Sequence, residues 1–442
     1  MATINWIGNA HATKQIDTIT VADTWTAADT VTLTMNGKDI IITIGDGTTT
    51  AQVAESIRDA WNASSRIDGT GSNTNTSNAG GQEFGEFSEA TAVIYPTATS
   101  VVRIIGNVAG RPFTLSVAQT VAVDGTATEA TAQAATGPWH WNNGDNWSAG
   151  AVPANDDVCV FRDNDVPVKY GLPNGSLEVT IEQWQSYTGQ IGLPPINRDN
   201  ASKPYFEYRQ RYVRLDDAGT GTNIAHRFGI GHTGTGSSLI NLKHSTLKCS
   251  PIVFNTGSAQ QQLSQYALNI CCTANTSTLD IINGSVDYSS QDGSTSAFVT
   301  VSQVAGDSRS VSGTVAAAAI TIGGGTALVG GTAAISAITL RGGTLRLESQ
   351  SGTITTLNAN GGTVLCINIG TITALLVNAG STFDARNAVA GFILTQGDVY
   401  PGGRFLDPYR KMNSASSVVQ LHFDTNDIQF GATVGNPIVI AT

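Results

Sequence analysis

The histidines come first when looking for metal or acid–base chemistry, and they stand at 11, 140, 226, 232, 244 and 422. His226 and His232 are the nearest pair, but their separation fits neither the HExxH nor the HxH spacing that sets two imidazoles on one metal. The carboxylate pairs Asp156-Asp157 and Asp216-Asp217 come next, with Asp163 and Asp165 nearby. Adjacent residues on a strand point to opposite faces, so a sequence pair does not supply an acid and a base to one groove. Asp163-Asn164-Asp165 lacks the downstream glycine and glutamate of a calcium loop. Farther on, Asp280, Asp287, Asp292, Asp307, Glu348, Asp384 and Asp398 recur at no common spacing. No nucleophile elbow is present. Cys159, Cys249, Cys271, Cys272 and Cys366 contain no CxxC pair, and a bridge between the adjacent Cys271 and Cys272 would be strained. They read as reduced, buried small hydrophobes. Gly45-Asp-Gly-Thr-Thr-Thr lacks the lysine of a phosphate loop and reads as a turn with a helix cap. The expectation is a protein with no catalytic residues, no cofactor and no metal.

Residues suited to contact are easier to find. Pro138–Val158 holds Trp139, Trp141 and Trp147, with N–H groups that need partners. Such a cluster can cover the first open coil of a stacked fold, or it can present flat faces to sugar rings. Residues 165–215 are rich in proline and aromatics, which suggests long loops on a core and a surface between subunits. Within them Arg209, Arg211 and Arg214 alternate with Gln210 and Tyr212, as on one strand face. That face is either solvated or a patch for an acidic partner. The candidate partner or glycan contacts are therefore Trp139, Trp141, Trp147, Tyr205, Tyr208, Arg209 and Arg211.

The elements that would position these residues show themselves by repetition. Ile338-Thr-Leu-Arg-Gly-Gly-Thr-Leu-Arg-Leu is echoed by Leu357-Asn-Ala-Asn-Gly-Gly-Thr-Val-Leu-Cys and by Leu376-Val-Asn-Ala-Gly-Ser-Thr-Phe-Asp-Ala. The pivot glycines 325, 343, 362 and 380 are spaced by 18, 19 and 18 residues. Each unit is a short alternating strand, a glycine turn and a second short strand. One unit cannot bury its own apolar face, but stacked units share a continuous interior. Residues 239–400 then make roughly eight or nine coils, or about 40 Å of rod at ~4.8 Å per strand. The competing arrangement is a β-sandwich of evenly spaced hairpins. After Gly397 the Tyr400-Pro-Gly-Gly string breaks the pattern, and Val418–Phe423 and Ile428–Phe430 read as a closing cap.

At the other end, Val31, Leu33 and Met35 alternate with threonine, Asn36-Gly37 supplies a hairpin turn, and 39–44 return. Val53, Ile57 and Trp61 then fall on one helical stripe. Ser64–Gly81 reads as a loop, and strands resume over 92–95, 101–105 and 113–117. The fold class is mainly β, with a small N-terminal α+β domain (1–120) and a parallel β-helix. A linker or exposed edge strand (121–137), an aromatic and Pro-rich junction and cap (138–238), the β-helix repeats (239–400) and a C-terminal cap (401–442) complete the plan.

Composition agrees. Charged residues are only 13% of the chain and glycine is 48 of 442 residues, as a turn-dense β protein requires. The net charge of −11 argues against binding nucleic acid. No apolar run is long enough to insert in a membrane as a helix. The first residues lack the basic and apolar pattern of a Sec-type leader.

Asn146-Trp-Ser-Ala-Gly-Ala-Val-Pro-Ala-Asn-Asp-Asp-Val resembles the segment that opens β-helical surface proteins of bacteria and their viruses. This string, the Asp29-Thr-Val-Thr-Leu-Thr-Met-Asn-Gly-Lys string and Ile191-Gly-Leu-Pro resemble uncharacterised proteins of tailed phages and planctomycete-like bacteria. The resemblance covers residues 1–215 and implies architecture more than activity. It implies a non-enzymatic virion protein, either a capsid decoration or cement protein or a fibre-like appendage. Such a protein is expected as a homotrimer on phage capsid or tail proteins, assembled in the host cytoplasm. The alternative is a spike that binds or depolymerises a cell-surface glycan.

Overall fold

The computed structural model describes residues 2–36, 38–45, 48–64, 85–175, 177–192, 212–215, 225–231, 240–244, 252–255, 266–272, 277–289, 296–310, 315–409, 411–412, 418–421, 428–430 and 438–441. The protein is mainly β, and its backbone winds as a parallel β-solenoid. Two ladders run along it. The first starts at Thr3–Asn5, which pairs with Asp157–Phe161, and passes through Val179–Trp184, Arg227–Ile230 and Ile252–Asn255 to Ile438–Ala441. The second runs from Val213–Leu215 through Ile240–His244 to Ile428–Phe430. Pairing within both ladders is parallel, which excludes a sandwich of hairpins.

The repeat spacing arises from this stacking. Ile320, Ile338, Leu357 and Leu375 are register partners at steps of 18, 19 and 18 residues. With Ile252, Leu279 and Val301 below them they form one buried column. Burying each such side chain contributes roughly 1.5–3 kcal/mol, which one coil alone could not collect.

Stacked glycines form one corner. Gly306, Gly325, Gly343 and Gly362 all have positive φ. A Cβ on Gly325 would lie 1.8 Å from the Gly306 carbonyl oxygen, and one on Gly343 would lie 2.3 Å from that of Gly325. The close approach lets the next amide donate to the coil below: Thr326 N–H to Gly306 O at 2.9 Å, and Thr344 N–H to Gly325 O at 2.8 Å. Gly380, the last of the four pivots, shares the positive φ but has open space where a Cβ would sit. At the same corner the buried Gln303 side chain donates to Gly306 O (2.8 Å) and Gly324 O (3.0 Å) and accepts from Ser308 Oγ (2.6 Å). The polar group is thereby satisfied inside the stack.

The ladder extends beyond the repeat region on both sides, which corrects the limits expected from sequence. Within 138–238 it takes in Asp157–Phe161, Val179–Trp184 and Arg227–Ile230. Residues 401–442, expected as a cap, supply further rungs at Arg404–Asp407, Val418–Leu421, Ile428–Phe430 and Ile438–Ala441. The Tyr400-Pro-Gly-Gly turn lengthens a corner without ending the coil. Its Gly402 has φ +80, and Tyr400 N–H still donates to Val377 O at 2.9 Å.

The N-terminal α+β region is an insertion between the first and second rungs. It leaves and rejoins the solenoid at one point, where Thr13 N–H donates to Thr136 O at 2.7 Å. Thr30–Met35 pairs antiparallel with Lys38–Thr43 on one side and Leu115–Thr120 on the other. A second sheet has the order Ala90–Tyr95, Ala98–Gly106, Ile16–Ala22, Thr126–Gln133. The segment 121–137 thus carries an edge strand, one of its two expected forms. The helix Thr50–Ser64 lays Val53, Ile57 and Trp61 into a core separate from that of the solenoid. Thr49 and Gln52 cap it reciprocally, with Thr49 N–H donating to Gln52 Oε1 and Gln52 N–H to Thr49 Oγ1. Most of the expected loop at 64–81 lies outside the described residues.

Candidate functional site

The densest side-chain constellation closes the first rungs, where the insertion joins the solenoid. Trp6 follows the first strand, Trp141 and Trp147 flank a short turn at Gly144–Asn146, and Phe161 ends the second rung. Trp147 meets Trp6 and Trp141 edge to face, at centroid distances of 5.0 and 4.7 Å, and Phe161 at 5.8 Å. Tyr187 packs on Phe161 at 5.3 Å. Such edge contacts each add about 0.5–1.5 kcal/mol to the area buried.

Polar groups at the rim of this box fix it. Trp147 Nε1–H donates to Trp141 O at 2.8 Å. Trp6 Nε1–H and the Tyr187 hydroxyl both donate to Val166 O, at 2.9 and 2.8 Å. Asn146 is fully buried and uses its whole amide. It donates to Gly137 O and His140 O and accepts from Ala10 N–H, each at 2.8 Å. His140 Nε2–H donates to Gly110 O of the insertion at 2.8 Å, and burial holds the imidazole below its ordinary pKa. Nothing in the spacing of Asn146 or His140 marks these roles, since both depend on partners more than 25 residues away or in another element.

This geometry decides between the two expectations for the tryptophans. Trp141 and Trp147 are each 1% exposed, so neither offers a face to a sugar ring; both are cap core. Trp139 is half-buried, with the Lys169 ammonium 5.7 Å over its ring. Tyr205, Tyr208, Arg209 and Arg211 lie outside the described residues, as do Asp216, Asp217, Asp292 and Cys249.

The carboxylates are drawn into corners. Asp384 forms a two-point pair with Arg386, at 3.0 Å to Nε and 2.8 Å to a terminal nitrogen, and that pair holds its pKa below the usual range. Asp407 accepts the Lys411 and Met412 amides at 2.8 and 2.9 Å. Asp157 accepts from Ala2 N–H at 2.8 Å and Ala154 N–H at 3.0 Å, and Glu348 pairs with Arg346. Asp287 lies 3.7 Å from Arg309, which reaches over the ring of Tyr266 at 5.8 Å.

One outward column does hold two acids, through the register Glu182, Arg227, Val253, Asp280. Three rung steps separate them, roughly 14 Å at ~4.8 Å each. A glycosidase pair needs about 5–9.5 Å. Among the described residues no three His, Cys, Asp or Glu side chains converge on a point that could hold a metal ion. The four described cysteines are free and buried, and burial pushes the Cys366 thiol up to about 12. No helix among the described residues is long and apolar enough to cross a membrane. No protein-family model and no curated protein sequence matches this chain.

Proposed function

We propose that this chain is a non-catalytic structural part of a tailed-phage particle. It is a capsid decoration or cement protein, or a fibre-like appendage, built as a homotrimer. The inserted α+β region binds the particle lattice and the solenoid projects from it. The observation that carries this reading is the division of labour in the fold. One parallel ladder runs from Thr3–Asn5 to Ile438–Ala441, and a separately cored region hangs from its first rungs. A ladder of this kind supplies length and stiffness, and Asp157, Asp384 and Asp407 are engaged in holding its turns. Assembly in the host cytoplasm agrees with thiols kept reduced and buried.

Peptide mass spectrometry of particles purified from a lysate of the source tests the assignment. The expected result is this chain at a fixed copy number per particle, with light scattering of the purified protein giving a trimer mass. Particles that contain all their other proteins and lack this chain would overturn it.

A further inference from the structure

The outer face of the first ladder carries a groove of about 350 Å³, at the small end of the ~300–1,000 Å³ typical of small-ligand sites. Arg227, Val253, Asn255, Ile282 and the Gly229–Gly231 backbone line it. Trp184 borders it: the residue is in register with Ile230, and a Cβ on Gly231 would sit 3.9 Å from its indole ring. The indole is 37% exposed and Ile282 is 40% exposed, so two large apolar side chains face solvent beside the groove.

The walls are held from inside by one residue. The buried Gln183 amide donates to the carbonyl oxygens of Trp184 and Tyr187, and its Oε1 accepts Gly229 N–H at 2.8 Å. This ties the strand bearing Trp184 to the strand that forms the groove floor. Gly229 and Gly231 both have positive φ; Gly229 is buried within the strand, and Gly231, just past its end, is the one that exposes backbone to the groove. Arg227 is exposed and makes no ion pair or side-chain hydrogen bond among the described residues. An exposed aromatic ring on a braced strand thus stands near a guanidinium that makes no ion pair among the described residues, in a chain of net charge −11.

We propose that this groove binds a carboxylate-bearing saccharide, with a sugar ring against Trp184 and its carboxylate on Arg227. The C–H face of a pyranose suits an indole. Its hydroxyls suit Asn255 and the turn backbone, and a carboxylate matches the guanidinium fork. Glu182, the register partner of Arg227 on the same outward face, makes no ion pair with it among the described residues, so the guanidinium is available to a ligand carboxylate. The site goes beyond the structural role proposed above and does not depend on it.

The test uses the full chain and ligand-observed NMR. The acidic probes are trigalacturonate, a hyaluronan tetrasaccharide and 3′-sialyllactose; the neutral controls are maltotetraose and lactose. At least one acidic probe is expected to bind and the neutral controls are not. Arg227→Gln, a change at an exposed position, is expected to weaken that binding by about tenfold or more, the loss of one charged contact. Trp184→Ala is expected to abolish it with the circular dichroism spectrum unchanged. Failure of all three acidic probes at millimolar concentration would overturn the assignment. So would equal binding of the neutral controls, or binding that survives both substitutions.

Discussion

Trp6 meets Trp147 edge to face, ring centroids 5.0 Å apart, although the whole inserted region separates them in sequence. The contact locks the first strand of the chain under the turn that follows the insertion. Trp147 also touches Trp141 and Phe161, so it contacts three rings of the box. Trp147→Ala is expected to cost about 3–5 kcal/mol of stability, the range for a buried aromatic truncated in a core. Trp139→Ala, at a half-buried ring, is expected to cost far less. Urea unfolding of the two variants checks the contrast; equal losses would show that the box is not the anchor.

The stacked corner gives an internally controlled pair. Gly380→Ala meets open space and faces only the penalty of a positive φ, roughly 1–2 kcal/mol. Gly343→Ala carries the same penalty and also places Cβ 2.3 Å from Gly325 O, so the coils must shift. It is expected to cost about 1–3 kcal/mol more. Melting curves of both variants measure the difference, and identical values would mean that the corner is looser than its geometry.

Removal of the insertion is a third test. Thr13 and Thr136 are hydrogen-bonded neighbours, so residues 14–135 can be replaced by a short Gly-Ser bridge without straining either end. The shortened chain is expected to keep a β-type spectrum and a cooperative melt. A collapse to an unfolded spectrum would show that the solenoid needs the second core.

His140 makes the junction sensitive to acid. Burial lowers its pKa in the folded state, so on acidification the unfolded chain takes up a proton that the folded chain refuses. The contribution of the neutral ring is full above the ordinary imidazole value of about 6.5 and declines as pH falls through the window below it. Relative to His140→Gln, the natural protein is therefore expected to lose stability between pH 7.5 and pH 5. Paired urea midpoints at the two pH values check this, and a constant difference would rule it out.

Much of this architecture is legible before any coordinates. The glycines at 325, 343 and 362 mark corners because close stacking and positive φ both exclude a side chain, Gly380 keeps only the positive φ, and the regular spacing of the four makes the corners visible. The flanking rungs are not legible, since loops of unequal length stretch the coil. Gln183 is in register with Phe228, and Phe228 with Phe254, so successive steps differ by many residues. The pairing of Thr3–Asn5 with residues beyond 155 leaves no periodic trace at all. Trp141 and Trp147 announce themselves by type, but their burial depends on Trp6 and Phe161, which lie outside the motif. The groove beside Trp184 is hidden for the same reason: its sides come from four rungs joined by loops of different length.

The insertion between the first two rungs also orders events on the ribosome. Thr3–Asn5 emerges early, but its neighbour Asp157–Phe161 is translated only after the α+β region is complete. That region can bury its own core before Asp157–Phe161, the strand that Thr3–Asn5 pairs with, has been made.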